Sequence, residues 1–137
     1  MSNIPFNPLL IGIHVATTYL PTHSSPENNQ FTFAYTITIS NGSDLPVQLL
    51  SRHWIITNAD NEVQEVRGEG VVGEQPVIRP GQSFRYTSGS TLTTPVGCME
   101  GSYTMVLRDP DQGDDGDVLG FEVPIPAFSL HTPTALH

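Results

Sequence analysis

From residue 30 to residue 41 the chain reads QFTFAYTITISN, and this alternation with a period of two limits the possible folds more than any other feature. Phe31, Phe33, Tyr35, Ile37 and Ile39 fall on one face of an extended segment, with Thr32, Thr36, Thr38 and Ser40 on the reverse. Successive side chains of a strand point to opposite faces, so the segment predicts a half-buried strand with β-branched hydroxyl residues outside. The same period recurs at Ile11, Ile13 and Val15, and again where Phe84 and Tyr86 alternate with Arg85 and Thr87. PVQLLSRHWIITN (46–58) is apolar on both faces, as expected of a central strand. Asn41-Gly42-Ser43-Asp44, Asn58-Ala59-Asp60-Asn61 and Pro80-Gly81 supply turns between these segments. EVQEVRG (62–68) reads as a short polar strand, and residues 101–108 and 118–125 as a last hairpin around the acidic loop DPDQGDDGD. No helical stripe is sustained, because one of the twelve glycines or twelve prolines interrupts nearly every candidate. About eight short strands with regular turn signals predict an all-β antiparallel sandwich. Phe33, Tyr35, Ile37, Trp54, Phe84 and Tyr103 are expected in its core.

The length of 137 residues fits one domain, with residues 1–9 expected as a flexible leading segment. A single cysteine, Cys98, excludes an intrachain disulfide and suits a reducing compartment. The opening MSNIPFNPLLIGIHV lacks a basic region and carries Pro5 and Pro8, which makes it a poor signal peptide. No apolar run approaches the ~20 residues of a membrane span, so no membrane is expected and the cytoplasm is the expected location. Fourteen acids against five arginines leave a net charge of -9, a field that disfavours nucleic acid as a partner. Lysine is absent, which excludes a P-loop lysine, a Schiff base and a Ser–Lys dyad.

Several blocks in order carry a more specific signal: FAYTITISN (33–41), VQLLSRHWIITNAD (47–60), EVRGEGVVGEQP (65–76), PGQSFRYTSG (80–89), GSYTM (101–105) and the closing IPAFSLHTPTALH. Together they resemble the ApaG family, over a stretch from about Ile11 to the end of the chain. The resemblance implies an immunoglobulin- or fibronectin III-like sandwich of seven to eight strands. It also implies a small cytoplasmic bacterial protein from a family associated with cobalt and magnesium efflux or resistance. Related domains fused within eukaryotic F-box proteins and in a DNA-polymerase-interacting protein look like protein-binding modules. The loop DPDQGDDGD departs from the family in being longer and more acidic.

Two local patterns invite a ligand. Gly68-Glu69-Gly70-Val71-Val72-Gly73 is a literal GxGxxG, the spacing with which a glycine loop approaches a phosphate. Pro76 precludes the helix that normally follows, so phosphate binding here would need a nest of N–H groups at Gly68, Gly70 and Gly73 with Arg67 as the nearby cation. Otherwise the glycines serve backbone conformation. In the acidic loop, Asp111, Asp115 and Glu122 fall at positions one, five and twelve of an EF-hand count, but Gly113 occupies position three and the flanks read as strands. The five histidines have no metal-ligand spacing, no GxSxG occurs, and Glu62 and Glu65 have opposite strand parity. With no catalytic constellation and no cofactor motif in context, the expectation is a non-catalytic module that binds a protein partner. Nucleotide or polyphosphate binding at 68–73 and divalent-cation binding are the alternatives.

Overall fold

The computed structural model describes residues 6–108 and 120–134. Eight strands are β1 (Ile11–Tyr19), β2 (Phe31–Asn41), β3 (Val47–Asn58), β4 (Val63–Glu69), β5 (Val77–Ile78), β6 (Ser83–Leu92), β7 (Val96–Leu107) and β8 (Gly120–His131). The only helical elements among the described residues are single 3-10 turns at Pro8–Leu10, Pro21–His23 and Pro26–Asn28, each opened by a proline whose φ is already set for it. One antiparallel sheet has the order β1-β2-β6; the other runs β4-β3-β7-β8, with β5 paired to the start of β3. The chain is thus a two-sheet β-sandwich.

The last hairpin is longer than its sequence suggests, since β7 begins at Val96 and β8 continues to His131. Pro124 and Pro126 are tolerated within β8 because it lies at a sheet edge, where a missing N–H breaks no ladder. Phe6 anchors the leading segment to the sandwich, its ring tilted against Phe121 at 4.7 Å, and the Asn7 side chain accepts a hydrogen bond from the Leu9 N–H.

Between the sheets sits an aromatic core. Trp54, 2% exposed, meets Tyr35, Phe128 and Tyr103 at centroid distances of 5.5, 5.8 and 6.4 Å. Phe33, Tyr35, Ile37 and Tyr103 are buried as the alternation predicts, whereas Phe84 is only partly buried. Tyr86 of β6 and Tyr103 of β7 join their hydroxyls across the gap, a polar bond linking the two sheets.

A β-bulge changes the parity of β3. Val47 and Leu49 are buried upstream, Trp54 and Ile56 downstream, and the pairing with β7 slips between Leu49 and Ser51. Leu49 and Trp54 are five residues apart, so both can face inward only if one residue, Leu50, is inserted between them. A second slip, between β7 and β8, lets Ile125 and Leu130 both point inward. At the other end of β3, buried Asn41 donates to the carbonyls of Leu45 and Ile78 and accepts from Ser43, tying the turn after β2 to β5.

The two long sides of the sandwich differ. On one, β1 packs against β8. On the other, the facing edges are β4 and β6, which scarcely touch.

Candidate functional site

The gap between β4 and β6 holds a row of adjoining hollows that share lining residues, together a cleft. One end is lined by Asn58, Glu62 and Thr93; the other by Val71, Val72 and Gly73. Its middle section, of about 330 Å³, lies among Tyr35, Arg52, Trp54, Gln64, Val66 and residues 88–91. Local sequence explains the opening. On β6 the inward positions between Tyr86 and Leu92 are Ser88 and Ser90, too small to reach the opposite sheet. On β4 the inward position paired with Arg52 is Gly68, which has no side chain.

Arg52 is the centre of the cleft. It shares parity with Trp54 and Ile56, so the bulge at Leu50 turns it inward, making it the one charged residue on an inward strand position among the described residues. Its guanidinium lies directly over Gly68, where a Cβ would come within 2.7 Å of the Cζ and both Nη atoms. Nη1 donates to the carbonyls of Glu69 (3.1 Å) and Gly70 (2.9 Å). Among the described residues no carboxylate lies within 4.0 Å of this guanidinium, and its Nε and Nη2 meet no protein acceptor.

Other donors open onto the same space. Among the described residues every enclosed side-chain nitrogen or oxygen has a hydrogen-bond partner. The Trp54 indole N–H and the Tyr35 hydroxyl have none among the described residues, so both reach the cleft that their rings line. Behind them, burial pushes the Tyr86 and Tyr103 phenols far above the ordinary tyrosine range, and nearby Arg52 only partly offsets this. Both phenols are therefore neutral hydrogen-bonding groups at physiological pH.

The glycine segment is placed differently from a phosphate loop. Gly68 and Glu69 belong to β4, and only residues 70–73 form a turn. The Gly70 N–H donates to Leu50 O (2.7 Å), that of Val71 to Glu74 O (2.8 Å) and that of Glu74 to Val71 O (2.9 Å). These three groups are thus engaged within the protein and do not converge on a common point. Positive φ at Gly70 (63°) and Gly73 (81°) explains two of the three glycines, and Gly68 explains itself by the arginine above it. That arginine is Arg52 and not Arg67, which lies on the outer face, largely exposed, 3.9 Å from Glu65. Val72, between the glycines, holds φ at 44°, an unusual conformation for a β-branched residue, and lines the end of the cleft.

Of the expected cation ligands, Asp111 and Asp115 lie outside the described residues. Glu122 is exposed on β8, paired in register with Thr104. His53 Nε2 lies 2.9 Å from Glu65 Oε1 on the outer face of the same sheet. Among the described residues no three histidine, cysteine or acidic side chains gather as a metal-ligand group.

Sequence reasoning placed Arg52 merely among five arginines. The signal that could have singled it out is the odd spacing between Leu49 and Trp54, which requires a bulge and a change of face.

Comparison with known proteins gives a consistent picture. The ApaG domain family model matches residues 21–107. Protein ApaG of Dechloromonas aromatica is 56% identical, the match covering 87% of each chain. Protein ApaG of Acidithiobacillus ferrooxidans is 55% identical over 95% of this chain and 96% of its own. A crystal structure of a Bordetella pertussis protein superposes with a TM-score of 0.81 at 46% identity, covering 91% of this chain and 95% of that one. The blocks quoted from the sequence, the two-sheet sandwich and these matches all converge: the chain belongs to the ApaG family.

Proposed function

We propose that this chain is a non-catalytic binding module that takes an extended segment of a partner protein along its open side, between β4 and β6. The observation that carries this reading is the cleft itself, a built gap between two sheet edges with an inward arginine at its centre. The state of the edges favours a peptide as occupant. β8 carries Pro124 and Pro126, which discourage pairing with another strand, while β6 has no proline and is uncharged from Tyr86 to Leu92. Strand addition at such an edge gives affinity through main-chain hydrogen bonds and specificity through alternate side-chain pockets. The strand order supports the immunoglobulin- or fibronectin III-like description, and the lone Cys98 suits a cytoplasmic setting. A link to cobalt and magnesium handling, which the family resemblance implies, would then act through the partner.

The test compares wild-type chain with a Ser88→Leu, Ser90→Leu double variant as bait in a native-cell lysate. The two leucines fill the cleft from the β6 side and leave the outer faces unchanged. A partner retained by the wild type and depleted about tenfold or more on the variant supports the reading. Equal retention by a variant that melts normally overturns it, as does failure of the wild type to retain any partner above a blank matrix.

A further inference from the structure

We infer that the occupant of the cleft contributes a carboxylate, which Arg52 receives as a paired acceptor. This rests on the cleft being a docking site and names the chemistry that the site selects. The protein engages only Nη1 of Arg52, through the carbonyls of Glu69 and Gly70, and the rest of the guanidinium stands open to the cleft. Those two bonds fix the guanidinium over Gly68 and leave Nε and Nη2 without a protein acceptor among the described residues. A planar fork held in place in this way suits the two oxygens of a carboxylate. The hydroxyls of Ser88, Ser90 and Tyr35 and the indole N–H of Trp54 line the same space and offer further donors.

Charge decides between anions. The chain carries a net charge of -9, and Glu62 stands at one end of the cleft, so a polyphosphate meets repulsion. A single carboxylate on an otherwise uncharged segment meets only the arginine at the centre. Gly68 belongs to the same design. Any side chain there would displace the guanidinium from the carbonyls that orient it, whereas none of the hydrogen bonds of the 70–74 turn requires a glycine at 68.

The carboxylate has two possible sources, an acidic side chain and a chain terminus, and the experiment separates them. Three pools of synthetic decapeptides, otherwise uncharged and rich in β-formers, are titrated into isotopically labelled full chain. The first pool is amidated without acids, the second ends in a free carboxylate, and the third is amidated with one internal glutamate. Saturable shifts at residues 88–91 and at the Arg52 Nε–H with the second or third pool, at least about tenfold tighter than the first, are the expected result. Whichever of the two pools binds identifies the source. Arg52→Gln should erase the difference between the pools, while Ser88→Leu with Ser90→Leu should abolish binding with Arg52 intact. Equal binding of all three pools, or a preference that survives Arg52→Gln in a folded variant, overturns the carboxylate. If the acid-free pool binds and the leucines abolish it, the cleft reading stands and this inference falls. If no pool binds, this inference falls as well, and the lysate comparison alone decides whether the cleft docks a partner.

Discussion

Gly70 and Gly73 are alike in sequence and unlike in what they tolerate. A Cβ at Gly70 would lie 2.3 Å from the Glu74 carbonyl oxygen, in addition to the cost of a φ of 63°, whereas a Cβ at Gly73 meets nothing within 4 Å. Gly73→Ala should therefore cost about 1 kcal/mol, the left-handed backbone alone, and Gly70→Ala clearly more, because the turn itself must shift. Equal losses in chemical denaturation would show that contact with Glu74 is relieved without effort. Trp54 sets the scale for the core. Its ring is enclosed by Tyr35, Tyr103 and Phe128, so Trp54→Ala should cost about 3–5 kcal/mol, and a loss below about 1 kcal/mol would mean that the neighbours collapse into the space. These residues also separate what could be read in advance from what could not. The burial of Tyr35, against the Trp54 ring, follows from alternation along one strand. The role of Gly68 depends on a residue sixteen positions earlier and across a strand pair, and no local pattern records that meeting.

At the scale of the element, β3 joins the fold to the cleft. Its first half supplies Val47 and Leu49 to the core, and its second half supplies Arg52, Trp54 and Ile56, with Leu50 inserted between the two sets. Deleting Leu50 removes the insertion and leaves Leu49 and Trp54 four residues apart, so Val47, Leu49, Arg52, Trp54 and Ile56 can all face inward on a regular strand. The deletion should therefore keep a cooperative unfolding transition, losing only what the Leu50 side chain and carbonyl contribute. Leu50→Ala, which keeps the backbone carbonyl that accepts from Gly70 N–H and the Gln75 side chain, should cost only about 1–2 kcal/mol. Should the deletion instead abolish cooperative unfolding, Leu50 would do more than switch the parity of β3. The regular strand β2 was legible because both its period and its hydroxyl face persist over its whole length. In β3 the apolar residues on both faces suggested a central strand, but they also concealed the change of parity. The cleft was not legible at all: Tyr35, Arg52, Gln64 and Ser88 come from four strands, and only the sandwich brings them together.

For the whole molecule, the Tyr86–Tyr103 bond ties one sheet to the other beside the cleft, and it makes stability depend on pH in a defined direction. Burial is the main cause that raises both phenols well above the usual value near 10; the presence of Tyr86 raises Tyr103 further, and Arg52 pulls both back in part. Below about pH 10 both phenols are neutral in the folded and the unfolded chain, and their contribution to stability is complete. Above that pH the unfolded chain releases the two protons while the folded chain retains them. The unfolded state then binds fewer protons, so stability falls as pH rises, by up to about 1.4 kcal/mol per pH unit for each tyrosine. Chemical denaturation from about pH 9 to 11.5 should show a steep loss that begins near pH 10. Tyr86→Phe removes one of the two titrating groups and the inter-sheet bond together. That variant should be less stable at neutral pH, yet lose stability in alkali with about half the wild-type slope, since buried Tyr103 still holds its proton. A flat wild-type profile across this range would refute the coupling, and an unchanged slope in Tyr86→Phe would place the titrating groups elsewhere in the sandwich.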